Sequence, residues 1–242
     1  MKVSQVIVGL VVCLLFINSS IWVKRARSLK NATPEELMQC LRTSPFLQKE
    51  INNLSEVTVT WIDRNQLPDE LILLLLVSED RRFYEHPGVD FFRILKIVID
   101  GSLFNEQRIG GSTLTQQLIK TLWGSPKRTF IVKFNEMIGA LILERCLTKD
   151  EILELYINCV VWSPDSVGLL AGIQSLYHKD VEDLTLEEMI SLVAGLPNPK
   201  SHWKFVKNNQ KNRRFQNRIE HLEKEVNLLG IEEIKTLERN YE

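Results

Sequence analysis

From residue 33 onward, apolar positions recur mostly at three- and four-residue spacing. Gly and Pro are sparse, 11 and 8 in 242 residues, so the chain is expected to be mainly α. Helix starts punctuate the pattern. Thr33-Pro34-Glu35-Glu36 joins a capping hydroxyl, Pro at the first helical position and acids in the first turn. Pro68 opens another helix, with Asp69 and Glu70 in its first turn. Leu71 to Val77 is apolar on every side, so this helix belongs in the core, and it runs directly into Ser78-Glu79-Asp80. Gly110-Gly111-Ser112-Thr113 breaks the chain and caps a helix to about Leu122, and the next spans about Arg128 to Leu147. Thr148 to Glu151 and Thr185 to Glu188 are capping boxes. The first opens a helix through Tyr156, and the second opens one that ends near Gly195, before Pro197 and Pro199. Residues 44–65 are mixed, but VTVTWI, Val57 to Ile62, alternates like a short strand. The tail from Lys207 is strongly charged and helical in pattern.

The N-terminus carries a different signal. Val6 to Val23, VIVGLVVCLLFINSSIWV, is nearly all apolar and about the length of a bilayer-crossing helix. Asn18, Ser19 and Ser20 weaken its second half, and a cleaved signal peptide is the competing reading. Lys2 precedes the segment, while Lys24, Arg25, Arg27 and Lys30 follow it. That bias alone would leave the bulk of the chain in the cytoplasm.

Length allows one good-sized core with a small satellite lobe. The net charge of −1 supplies no global field for nucleic acid, so any anionic ligand must be met by local charge. Cys13, Cys40, Cys146 and Cys159 form no CxxC pair and have no His at ligand spacing, which argues against a zinc site. Cys13 lies in the apolar run; a bridge among the other three stays open.

Three constellations could carry chemistry. Glu79 ends an apolar helix, and partial desolvation there makes a carboxylate a better proton acceptor near neutral pH, an effect that the like charge of Asp80 reinforces. A solvated helix end is the plainer alternative. Thr113, Gln116, Gln117 and Lys120 share one helical face. Amides suit sugar hydroxyls, an ammonium suits phosphate, and the helix N-terminus after Gly110-Gly111 favours an anion. The same stripe could also be an ordinary solvated face. Lys127, Arg128, Lys133 and Glu136 form either a cationic patch for a pyrophosphate beside a carboxylate or a set of surface charges of small value.

Taken together, these segments resemble the ordered motifs of glycosyltransferase family 51, the peptidoglycan glycosyltransferases. EDRRFYEHPG, Glu79 to Gly88, is similar to the first motif. GGSTLTQQLIK, Gly110 to Lys120, matches the second. KRTFIVKFNE, Lys127 to Glu136, resembles the third, and KDEILELYIN, Lys149 to Asn158, matches the fourth. No segment resembling a transpeptidase follows, so the chain resembles a monofunctional member. The resemblance implies a lysozyme-like larger lobe and a smaller membrane-contacting jaw lobe, preceded by a transmembrane helix. The expected organisation is an anchor and flank over 1–30, a lead-in over 31–66, the glycosyltransferase domain over 67–218 and a charged helical tail over 219–242. Val89 to Phe104, apolar with Arg93 and Lys96, is the jaw candidate, although its periodicity fits a buried core helix equally well.

By resemblance, the reaction is inverting polymerisation of lipid II into β-1,4 glycan strands with release of undecaprenyl pyrophosphate. Glu79 is implied as catalytic base and Glu136 as the second catalytic Glu. Asp80 and His86 would order the loop around Glu79. Ser112, Thr113, Gln116 and Gln117 would line the sugar and phosphate path, and Lys120, Arg128 and Lys133 would meet the leaving pyrophosphate. No cofactor is required by this reading, although Glu136 could bind a divalent cation such as Mg or Mn. The implied partners are lipid II, the growing glycan, the membrane and other cell-wall synthesis proteins, with no nucleic acid. The implied location is the bacterial inner membrane, single-pass, with the catalytic domain on the periplasmic face.

Two departures stand out. Val132 occupies a place where the third motif has Arg, and CVVWSPDSVG follows Asn158 where the family often has a glycine-containing loop. They motivate one alternative, an impaired relative that binds lipid II or cell-wall partners without polymerising. A lysozyme-like hydrolase is another, but such an enzyme needs no pyrophosphate cradle.

Overall fold

The computed structural model describes residues 19–51, 53–54, 57, 59–99, 111–127, 129–208 and 212–239. Arg128, Cys13, most of the apolar 6–23 segment and residues 100–104 of the jaw candidate lie outside them. The chain is mainly helical. Residues 19–30 form α1, followed by α2 (Pro34–Thr43), α3 (Pro45–Glu50), α4 (Asp69–Glu79) and α5 (Phe91–Ile99). Then come α6 (Leu114–Trp123), α7 (Phe130–Cys146) and α8 (Lys149–Cys159). A small antiparallel hairpin, β1 (Val161–Ser163) and β2 (Ser166–Val167), precedes α9 (Leu169–Tyr177), α10 (Leu186–Gly195), α11 (Pro199–Asn208) and α12 (Arg213–Arg239).

The capping boxes at Thr33, Thr113, Thr148 and Thr185 all form, each with the hydroxyl accepting from the N3 amide and the N3 side chain accepting from the cap amide. α4 buries Leu71 to Leu75 on every side, as its unbroken apolar run requires. α6 is central: Leu114, Leu118, Ile119 and Leu122 are buried where it packs against α7, α8 and α3. On the other flank, α10 packs against α4 and α12.

The strand expected over 57–62 does not form among the described residues. The Ile62 amide donates to Asn158 Oδ1 at 3.0 Å, and Asn158 Nδ2 donates to the Ile62 carbonyl at 2.9 Å. A side chain of α8 thus occupies the backbone groups that a neighbouring strand would have paired. Elements the pattern did not reveal are α3, the hairpin, α9 and α11.

Leu37, Leu41, Leu47, Ile51 and Ile62, from the stretch read as a lead-in, are buried in the common core. The first half of α12 joins it through Phe215 and Leu222, and this helix runs unbroken across position 218. Trp22, Ala26 and Leu29 of α1 are buried too. Trp22 lies over Gly139 of α7, where any Cβ would stand 3.0 Å from the indole, and Arg25 stacks on the rings of Trp22 and Trp123. Among the described residues, no helix is long and apolar enough to cross a membrane. The thiols of Cys40, Cys146 and Cys159 are free, and burial pushes those of Cys40 and Cys159 up.

Candidate active site

Glu79 is the last residue of α4, and its side chain is 10% exposed. Its Oε1 accepts from Arg218 Nη2 at 2.7 Å and from Ser78 Oγ at 3.1 Å. Its Oε2 accepts from Gln117 Nε2 at 3.0 Å. Gln117 is itself oriented, because its Oε1 accepts from Tyr156 OH at 3.0 Å. Burial foremost, and then the charges of Glu79 and Asp80, hold the Tyr156 phenol well above its ordinary range, so it remains a donor. Arg93 of α5 donates to the Glu79 carbonyl at 3.0 Å, closing the α4 C-terminus. Arg218 escaped the sequence reading. It lies 139 positions away, in a tail read only as charged and helical.

The segment after Glu79 is locked from three sides. Asp80, 1% exposed, accepts from His86 Nε2 at 2.9 and 3.1 Å and from the Leu114 amide at 3.0 Å. The Gly88 amide donates to His86 Nδ1, which leaves the ring proton on Nε2, pointing at Asp80. Thr113 Oγ1 donates to the Gly88 carbonyl at 2.7 Å. Gly88 itself has φ +94°, and a Cβ there would stand 2.7 Å from the Ala140 carbonyl oxygen, so glycine is required. Below the loop, Lys149 Nζ donates to the His86 carbonyl at 2.7 Å and to Glu144, lies over the Phe83 ring, and has its pKa lowered by burial, which Glu144 partly offsets.

The second cluster forms across α6 and α7. Lys133 Nζ donates to Ser112 Oγ at 2.7 Å and to Glu136 Oε2 at 3.2 Å, with Glu136 only 7% exposed. Apart from Lys120 and Arg128, the expected residues therefore fall into three groups. Glu79 and Gln117 meet directly, and Ser112, Lys133 and Glu136 meet directly. Asp80, His86, Thr113 and Gln116 are buried in loop and cap contacts that hold the first group in place. Lys120 places its ammonium 4.2 Å from the centre of the Phe46 ring of α3. α6 bridges the two direct groups, with Ser112 just before its cap and Gln117 in its second turn.

Exposure decides between the readings of α5. Phe92 is 69% and Ile99 72% exposed, with Phe91 and Leu95 beside them, so this is not a core helix. The first turns of α7 add Phe130 at 87%, with Ile131 and Phe134, which the sequence reading had not singled out. Apolar surface on this scale marks an interaction face. A groove of about 550 Å³ beside the hairpin and α9, lined by Thr60, Asp165, Gln174 and Lys179 among others, contains none of the residues of the two clusters. A carboxylate, a cation and an amide converge instead at Glu79. Among the described residues, no three His, Cys, Asp or Glu side chains converge as a metal site. Glu136 is paired with Lys133 at 3.2 Å.

The family model described as Transglycosylase matches residues 47–225. Penicillin-binding protein 1A of Neisseria lactamica is 38% identical over 141 residues, 58% of this chain and 18% of that protein. Penicillin-binding protein 1A of Escherichia coli (strain K12) is 41% identical over 133 residues, 55% of this chain and 16% of that protein. The matched stretch thus spans less than a fifth of the length of these relatives.

Proposed function

The chain belongs to the transglycosylase family, and on that premise we propose that it is an inverting peptidoglycan glycosyltransferase that polymerises lipid II, with Glu79 as general base. The observation that carries this reading is the Glu79 carboxylate, nearly buried and held at both oxygens, one by Arg218 and Ser78 and the other, among the described residues, by Gln117 alone. Each carboxylate oxygen can accept two hydrogen bonds. Oε1 is filled by Arg218 and Ser78, whereas Oε2 has the capacity to receive an acceptor hydroxyl.

In the proposed step, the proton of the acceptor's 4-hydroxyl passes to Glu79 Oε2 as its oxygen bonds to the anomeric carbon of the growing chain. The bond from that carbon to the pyrophosphate oxygen breaks, and its electron pair leaves with undecaprenyl pyrophosphate. One displacement inverts the centre and yields the β-1,4 link. Negative charge grows on the leaving group, and Lys133, fixed between Ser112 and Glu136, supplies a preorganised cation for it. Arg128 and Lys120 are proposed to add to that charge. Asp80, His86, Thr113 and Gln116 act by positioning. No step is assigned to a metal ion.

The exposed aromatic and aliphatic side chains of α5 and early α7 are proposed to meet the lipid headgroup region as the jaw, beside a lysozyme-like larger lobe. The 6–23 segment would anchor the chain in the inner membrane with this face turned outward.

Polymerisation of labelled lipid II by the full-length protein in detergent tests the reading. Long glycan from the wild type and none from Glu79→Gln, at equal folding and lipid binding, is the expected result. Wild-type-like turnover by Glu79→Gln removes the base. No glycan from either protein, with lipid II still bound, favours the binding-only relative that Val132 suggests.

A further inference from the structure

We propose that Arg218 is a positioning residue of glycosyl transfer that keeps the Glu79 carboxylate aimed at the start of every addition. This rests on the reading of Glu79 as base. The guanidinium is held at three points: Nη2 donates to Glu79 Oε1 and to Ser78 Oγ, both at 2.7 Å, and Nε donates to the Ala194 carbonyl at 3.1 Å. Ser78 Oγ in turn donates to Glu79 Oε1, which closes a ring of three groups. A planar fork fixed in this way sets the rotation of the carboxylate and assigns Oε1 to the cation and Oε2 to the substrate.

The groups facing Glu79 from each neighbouring element are few. α6 presents the neutral Gln117 and α8 the protonated Tyr156. α5 presents Arg93, which is turned to the Glu79 carbonyl rather than to its carboxylate. Asp80 is engaged with His86. Arg81, next along, pairs with Glu225 of α12 at 3.0 Å. Arg218 is the cation among these that touches the carboxylate, and it comes from the last helix of the fold.

The chemical consequence concerns repetition. A polymerase must reset its base after each sugar, so Glu79 has to give the proton from Oε2 to water before the next acceptor arrives. Arg218 loses its charge partner whenever Glu79 is protonated, which favours prompt release. It donates and accepts no proton itself.

The test is the pH profile of kcat for lipid II polymerisation by the full-length protein. Removing a cation beside a carboxylate raises the pH at which it ionises by about 1–3 units. Arg218→Met should therefore move the acidic limb to higher pH. Arg218→Lys keeps the charge and should leave the limb near its wild-type position while kcat falls. Glu225→Gln loosens α12 from the segment after α4 without touching Glu79 and should leave the limb unmoved. If Arg218→Met does not fold, Arg218→Gln, which retains side-chain donors but no charge, takes its place. An acidic limb unmoved in the charge-removing variant, with Glu79→Gln inactive, overturns the role of Arg218 and spares the base. Activity in Glu79→Gln removes the base, and this proposal with it.

Discussion

Asp80→Asn probes the loop that carries the site at a point where the cost can be worked from contacts. Asp80 is 1% exposed, and its carboxylate serves two buried donors, His86 Nε2 and the Leu114 amide. An amide of the same size keeps one acceptor oxygen and turns the other into a donor. With the oxygen in the Oδ2 place, the Leu114 amide keeps its acceptor, but His86 Nε2 faces the NH2 group at its shorter contact of 2.9 Å and retains only the longer one of 3.1 Å. Leaving a buried donor unsatisfied costs about 1–3 kcal/mol, and the lost charge-assisted bonds push towards the upper end. The expected destabilisation is therefore about 2–3 kcal/mol, a large part of the ~5–15 kcal/mol that holds a typical domain. With a urea m-value of about 2–3 kcal/mol/M, the unfolding midpoint should drop by about 1 M. Urea titration followed by circular dichroism measures it. Asp80→Ala strands both donors and should fall further, by about 3–5 kcal/mol. Glycan synthesis should drop in both variants, because the 80–88 segment no longer holds its seat on α6. A midpoint within about 0.2 M of wild type for Asp80→Asn would refute the reasoning, since the two donors would then have found other partners.

Gly88→Ala places a methyl group at φ +94° against the α7 backbone, and backbone strain plus overpacking should cost about 2–4 kcal/mol; a wild-type-like midpoint in urea would mean that the loop can move aside. His202, fully buried beneath Gly195, has its pKa lowered by burial from the ordinary 6.5 to about 4. The unfolded chain takes up this proton as pH falls through 6.5, whereas the folded protein resists until about 4. The contribution to stability is therefore complete above 6.5 and is lost progressively down to about 4, by about 3 kcal/mol in all. Stability differences between wild type and His202→Asn, measured across pH 4–7, should carry that slope, and a flat difference would contradict it.

Much of the helical layout was legible because helix signals act within a turn. Thr33, Thr113, Thr148 and Thr185 each meet a partner three residues on; the first two could be read as caps and the last two as capping boxes, and all four form boxes. The all-apolar run of α4 likewise announced its burial. Failures came where a local pattern met a distant partner. VTVTWI alternates, but Asn158, 96 positions from Ile62, takes the backbone groups a strand would use. Val89 to Phe104 fitted core or surface equally, because periodicity states that a face is apolar and not what covers it; the exposure of Phe92 and Ile99 settled that point.

The sequence by itself determined a mainly helical chain, the starts of the helices capped by Thr33, Thr113, Thr148 and Thr185, and the set of carboxylates, amides and cations from which a site could be built. Tertiary structure alone divided that set into groups that meet and groups that hold. It buried Thr113, Gln116, Asp80 and His86 in the scaffold, joined Lys133 to Ser112 and Glu136, and set Lys120 against Phe46. It also brought Arg218 to Glu79 across 139 positions. The physical reason is range: caps and periodicity are decided by bonds within a few residues, whereas the partner of Glu79 is decided by how α12 lays Phe215 and Leu222 into the core.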